Sequence, residues 1–318
     1  MPSIPGSIAT QGVNTDFVEI GRTLFDGDAD AFAQWRTWAG ELPMDGTSLM
    51  GFMIGATGAV AEITGDRLWQ AFRAYARTVP AKKYGPPGIE LPFIEVDNDK
   101  SGAIRNRLMG YLAKAKDGFG KPAVDFYVTN PTCIDGLPLI SGSHLFDSGG
   151  STWTNDSSTA LSAAEQSVII LAMRGRLDEF GVPLGITPTH LMVAGNLEQI
   201  ALDITGADRV IGITTAGNPA LAGLVGSGAA SGPNWAVSRG RLDVIVNQLM
   251  TAGTYAYMDL SKPDVRPIYY GIAKGFEAHV VDDPQSEPMK ERSSYAYYAE
   301  GYAAFMGGIP QCIYGKDT

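Results

Sequence analysis

Asp97, Asp99 and Ser101 alternate in the stretch E-V-D-N-D-K-S-G, residues 95–102, and Gly102 follows where a calcium loop makes its sharp bend. Such a loop places oxygen ligands at alternate positions and closes on a bidentate Glu at position twelve. Counted from Asp97, that position is Leu108, which falls on the apolar stripe of the next segment. The stretch therefore reads as a turn before a helix, with acidic side chains where the helix dipole favours them. G-S-G-A-A-S-G, 226–232, resembles a dinucleotide-loop fragment, but no strand precedes it and P-N-W follows. G-F-G-K, 118–121, lacks the first glycine of a phosphate loop, and no G-x-S-x-G elbow occurs. His144 lies close to Ser141 and Ser143, yet no acid stands at a spacing that completes a triad. His190 reads as a partly buried strand residue and Cys133 as packing. Tyr295, Tyr297, Tyr298 and Tyr302 read as sheet packing rather than a base-stacking platform. Two cysteines and three scattered histidines form neither a disulfide framework nor a zinc set. No catalytic residue, cofactor or metal ligand is assigned.

The elements that would position any site are those of a folded protein. The 318 residues are 45% hydrophobic and 18% charged, enough for one large domain or two modest ones. The net charge of −10 and the lack of Lys/Arg clusters argue against wrapping nucleic acid. No apolar run reaches the ~18–20 residues that span a bilayer, and the N-terminus has no signal-peptide pattern. An intracellular, reducing setting is expected.

Residues 1–20, rich in Gly, Ser and Thr, read as an extended arm. A short helical pattern over 24–39 aligns Phe32, Trp35 and Trp38. The Gly- and Met-rich segment 45–66 is too glycine-rich for a robust helix and suits packing on neighbours. Residues 67–79 fit helix or strand. The Pro/Gly turn 80–88 and the strand 89–96 behind it suggest a projecting hairpin with 80–88 at its tip. The clearest helix is 103–116, with Ile104, Leu108, Tyr111, Leu112 and Ala115 on one stripe. A second runs over 161–181, with Ser162 and Glu165 as a capping box and Gly181 as its C-terminal residue. A strand near 183–195, a short helix at 197–204, a flexible loop at 214–234 and Tyr-rich strands after 242 follow. Helices and strands are segregated, which argues for an α+β fold.

The order of these parts resembles the major capsid proteins of tailed bacteriophages, in particular the Mu-like major head subunit family. The carrying stretches are G-I-E-L-P-F-I-E-V-D-N-D-K-S-G (88–102) and the helix directly after it. They continue with D-G-L-P-L-I-S-G-S-H (135–144), similar to a D-G-x-x-x-F-x-x-x-H segment, then L-S-A-A-E-Q through G-V-P-L-G-I-T-P-T-H-L-M-V (161–193), and D-V-R-P-I-Y-Y-G-I (264–272). The resemblance covers roughly 66–310 and implies the Hong Kong 97-type capsid fold. The implied parts are an N-terminal arm and lead-in (1–66), an E-loop hairpin (67–102), a peripheral domain with a spine helix (103–160), an axial domain (161–254) and return strands to the peripheral domain (255–318). On this mapping 67–79 is strand.

It implies a structural, non-enzymatic subunit of an icosahedral or prolate head, assembled in the host cytoplasm and found in the virion. Copies would form hexamers and pentamers enclosing DNA without sequence-specific binding, with decoration, portal and scaffolding proteins as further partners. Lys82, Lys83, Tyr84, Phe93, Trp35 and Trp38 are the expected inter-subunit contacts. The rival readings are an encapsulin-like nanocompartment shell and an enzyme with an unrecognised site.

Overall fold

The computed structural model describes residues 8–25, 34–54, 74–97, 102–115, 118–145, 152–177, 183–206, 209–211, 231–233, 242–283, 285–286, 288 and 293–316. The acidic turn at 98–101, the stretch 67–73, Phe32, Gly181 and most of 214–234 lie outside these residues.

The chain begins with helix α1 (Ile8–Phe25) and, after the short α2 (Trp35–Trp38), forms strands β1 (Ala39–Glu41), β2 (Met44–Asp45) and β3 (Ser48–Ile54). Next come β4 (Ala74–Pro80), β5 (Lys82–Tyr84), β6 (Ile89–Pro92), the one-turn α3 (Phe93–Asp97), α4 (Ala103–Ala115) and α5 (Gly120–Val128). A loop carrying β7 (His144–Leu145) and β8 (Thr152–Trp153) leads to α6 (Ala163–Arg174), β9 (His190–Ala194) and α7 (Glu198–Gly206). The remainder is β10 (Arg209–Ile211), β11 (Ser231–Pro233), β12 (Asp243–Asn247), β13 (Tyr255–Met258), β14 (Ile268–Val281), β15 (Ser294–Gly307) and β16 (Ile313–Lys316).

Two sheets carry the fold. The first is built on the long antiparallel pair β14–β15, extended by β1 parallel to β14 and by β5 and β6 along β15. The second has the order β12-β9-β13-β16, with β12 parallel to β9 and the other pairs antiparallel. Helices α6 and α7 cover one face of the second sheet, burying Ile169, Met173, Ala201 and Ile204 against Leu191, Val193, Tyr255 and Tyr257. Its other face shares a core with the first sheet: Met192, Ile245, Met258 and Ile313 meet Trp38, Val124, Tyr270 and Phe305. The outer half of β14–β15 is covered by α1 and α4 through Phe17, Leu108, Tyr111, Leu112 and Tyr297.

Several expectations change. The arm is a helix docked on its own chain. Phe17 is buried against Tyr111 and Tyr297, the Tyr297 hydroxyl donates to Asn14 Oδ1 at 2.8 Å, and Arg105 pairs with Asp16 at 3.1 Å. The expected hairpin with 80–88 at its tip does not form, because its two flanks do not pair. β4 pairs with β3 from Ser48↔Pro80 to Ile54↔Ala74, while β5 and β6 both lie along β15. The pairing that forms is therefore β3–β4, while β5 and β6 add to the first sheet, burying Leu91 and half-burying Tyr84. Strands β13 and β16, expected to return to the peripheral domain, pair in the second sheet instead. Helix α6 ends at Arg174 with Gly175 as its cap, because Arg176 turns into the core. Its Ser162 cap accepts from Glu165 N at 3.2 Å as expected, but the Glu165 carboxylate is taken by the Ser157 hydroxyl at 2.6 Å rather than reaching back.

Burial pushes the Tyr255 and Tyr269 phenols from 10.0 up to about 12, and the Cys312 thiol from 9.0 up to about 12. In each case the unfolded chain releases its proton first, so their contribution is intact below pH 9 and is lost as pH rises towards 12. Arg176 shifts the other way, from 12.5 down to about 10, so its burial penalty eases above pH 10. Burial also raises Tyr84, Tyr111, Tyr257, Tyr297, Tyr314 and Cys133, so the raised groups outweigh Arg176. The urea midpoint of the subunit is expected to fall steadily between pH 9 and 12, and a flat midpoint over that range would contradict the burial of these groups.

Candidate functional site

The chemistry-bearing residues converge on the loop between α5 and α6. Asp135 and His144, the two ends of the D-G…H stretch, bond to each other: His144 Nδ1 lies 2.8 Å from Asp135 Oδ2, and Leu137 N donates to Oδ1 at 3.1 Å. The imidazole is fully buried and stacks on Trp153 at 4.8 Å between centroids. The Arg176 guanidinium lies 4.4 Å from the Trp153 ring centre and 5.5 Å from that of Tyr314. Imidazole, indole, guanidinium and phenol are thus joined in sequence, tying the loop to α6 and β16.

Among the described residues the arrangement does not bring together a nucleophile, a base and an acid. His144 has an acid partner nine residues upstream, which sequence spacing did not reveal, but no nucleophile beside it among the described residues. Its Nε2 is buried with no hydrogen-bond partner among the described residues, and the Ser141 hydroxyl accepts from Ser143 N at 3.3 Å in a local turn. Cys133 is fully buried and burial drives its thiol pKa far up, the reverse of what a nucleophile needs. His190 bonds Thr189 Oγ1 at 2.8 Å in the second sheet, and burial lowers its pKa. Among the described residues no group of three His, Cys, Asp or Glu could hold a metal.

What the cluster does is satisfy buried backbone. The Arg176 guanidinium donates to the carbonyls of Pro310, Gln311 and Ile313, the last from Nη1 at 3.1 Å and from Nη2 at 3.2 Å. No carboxylate pairs with it among the described residues. Asn155 works beside it. Its Oδ1 accepts from Ser141 N at 2.7 Å, its Nδ2 donates to Leu139 O at 2.7 Å and to Pro310 O at 3.3 Å, and its backbone C=O accepts from Gly315 N at 2.9 Å.

The expected contact residues divide. Trp35 and Trp38 are 3% and 0% exposed in the chain's own core, against Tyr270 at 4.5 Å and Tyr127 at 5.4 Å. Their side chains are not available to a neighbour, which corrects that expectation; aromatic spacing is the same for a core and for an interface. Tyr84 is half-buried against Phe119 and Phe305. Lys82 is exposed; Lys83 is exposed but paired with Glu300 on β15. Phe93 is exposed, next to exposed Ile94.

Sequence reasoning missed one surface. The outward face of α6 carries Ala164, Val168 and Leu171, the last two 55% and 58% exposed, and Ile200 and Leu202 are exposed on α7. The signal was present: α6 is apolar on the side opposite its buried stripe as well as along it, and a helix apolar all round is normally covered.

The model of the phage capsid protein family matches residues 88–314, well over half of the chain. The chain belongs to the phage capsid protein family. Solved structures agree in fold. A chain from Microbacterium phage Oxtober96 matches this capsid-family chain with a TM-score of 0.51 at 11% identity, covering 91% of this chain and 92% of that one. The capsid of a native GTA particle gives 0.50 at 12% identity, covering 91% of each chain. The decorated capsid of bacteriophage JBD30 gives 0.47 at 12% identity, covering 92% of this chain and 66% of that one, so this chain spans just under two thirds of that protein's length. No curated protein matches. The α+β capsid fold of the Hong Kong 97 type, expected from the order of motifs, is the fold observed.

Arg176→Ala is expected to lower subunit stability by about 3 kcal/mol, because buried carbonyls lose a charged donor. Arg176→Lys should recover little of it, since an ammonium cannot replace the planar fork and its stacking. Urea unfolding measures both; a loss below about 0.5 kcal/mol in Arg176→Ala, within the range of ordinary surface substitutions, would contradict this role.

Proposed function

We propose that this chain is the major shell-forming subunit of a tailed-phage head, of the Mu-like kind. Its copies form hexamers and pentamers that enclose DNA without reading its sequence. The subunit has a structural role and no catalytic one; it assembles in the host cytoplasm and resides in the virion, with portal, scaffolding and decoration proteins as partners. The capsid-family match over residues 88–314 carries the reading. The domain plan is kept in altered form: a peripheral part on β14–β15 with α4 as its spine, an axial part on the second sheet, and the β3–β4 hairpin in place of an E-loop at 67–102.

Two physical observations support it. The subunit closes its own cores, yet leaves large apolar side chains outward on α6 and α7. A chain of net charge −10 repels its own copies, and the outward row of α6 carries no charge, so copies can approach there without that penalty. Lys82, Lys83 and Phe93 remain in the proposal as contact residues because they are exposed.

Electron microscopy of the purified protein is expected to reveal closed shells or ring-like capsomers, with packaged DNA rather than an enzyme cargo inside. Val168→Glu with Leu171→Glu is expected to cut the assembled fraction at least tenfold while leaving the melting temperature of the subunit within a few degrees. A monodisperse monomer at high concentration would count against the reading.

A further inference from the structure

The β3–β4 hairpin presents one face to the body and one to solvent. Leu49, Gly51, Arg77 and Val79 face inward; Met50, Ala76 and Thr78 face outward. Leu49 is fully buried with Ile134, Tyr269 and Met306. One rung further out, Gly51 pairs with Arg77. A Cβ on Gly51 would stand 1.9 Å from the Met306 methyl, so with glycine here the Met306 side chain can lie directly against the strand. Across from it, the Arg77 Nη1 donates to Thr132 O at 2.6 Å and to Cys133 O at 2.9 Å.

Those carbonyls belong to a rigid turn. Asn130 clamps Ile140 through both its amide groups at 2.8 Å, Leu139 N donates to Pro131 O at 2.9 Å, and Cys133 N donates to Leu137 O at 2.7 Å. Asp135 fixes the bend by accepting from Leu137 N and holding buried His144. Beside the contact lies a groove of about 390 Å³ lined by Arg77, Val79, Phe126 and Phe305. The hairpin is not packed solid on that side, so contact area alone does not set its angle.

We propose that Arg77 is the positioning residue that sets the angle at which the β3–β4 hairpin leaves the body, and that the 130–144 turn is the platform it reads. The D-G…H stretch then has a task beyond its own folding: it braces the turn that presents the Thr132 and Cys133 carbonyls, and Arg77 transmits that geometry to β3 and β4. In the shell-subunit reading, on which only the assembly readout rests, this angle decides where the hairpin meets a neighbour.

Amide hydrogen exchange on the full chain tests it. In Arg77→Ala the amides of residues 50–54 and 74–78 are expected to exchange about tenfold faster or more, as loss of two charge-assisted bonds implies. Those of β14, β15 and the second sheet should be unchanged, and the melting temperature within a few degrees. Arg77→Lys should recover part of the protection. Asp135→Asn, which loosens the platform, should speed exchange in 74–78 although it touches no hairpin residue. Unchanged exchange in β4, or a uniform increase over the whole molecule, overturns the proposal. The assembled fraction of Arg77→Ala should fall, or its particles should lose uniform diameter, while wild type assembles normally. If wild type itself forms no shells, the functional reading fails but the exchange result still decides the role of Arg77.

Discussion

Where β15 gives way to β16, the backbone leaves one sheet and enters the other through a dry interior, and its carbonyls need donors there. Arg176 supplies them. A buried cation without a carboxylate is costly, and burial lowers its pKa to about 10. The cost is offset because three carbonyls and two aromatic faces surround it. The consequence is architectural. The same crossing that ends the central strand of the first sheet supplies the edge strand of the second, and Arg176 and Asn155 bind it to α6 and to the 139–141 loop. The two sheets share a core on either side of this joint, so the subunit is one body from which the hairpin and the helical layer extend.

That division between closed interior and uncovered projections fits a protein whose work is done by contact with copies of itself. The residues that look most reactive are structural. His144 and Asp135 hold a turn, Cys133 and Cys312 fill the core, and most of the tyrosines in β13–β15 are packed. The outward α6 row and the outer face of the β3–β4 pair have the opposite character: Val168, Leu171 and Met50 are exposed.

Much of the fold was legible where the signal is local. The α4 stripe of Leu108, Tyr111, Leu112 and Ala115 faces the core as its period requires, the Ser162 cap starts α6 where expected, and the alternation after residue 242 marks real strands. What failed was pairing, which is not local. The Pro/Gly stretch 80–88 has the composition of a hairpin tip, but β6 finds its partner at 294–297 and β4 at 48–54. Helix α1 was hidden among Gly, Ser and Thr because it needs the surfaces of α4 and β14–β15 to bury Phe17. The Asp135–His144 pair was invisible because nine residues of loop bring it together. Its motif, by contrast, was visible in the sequence before its purpose was.

Differential scanning calorimetry of the unassembled subunit tests the central claim that the 307–313 crossing makes the two sheets one cooperative body. A single transition, with calorimetric and van't Hoff enthalpies that agree, is the predicted result. Two resolved transitions, one for each sheet, would contradict it.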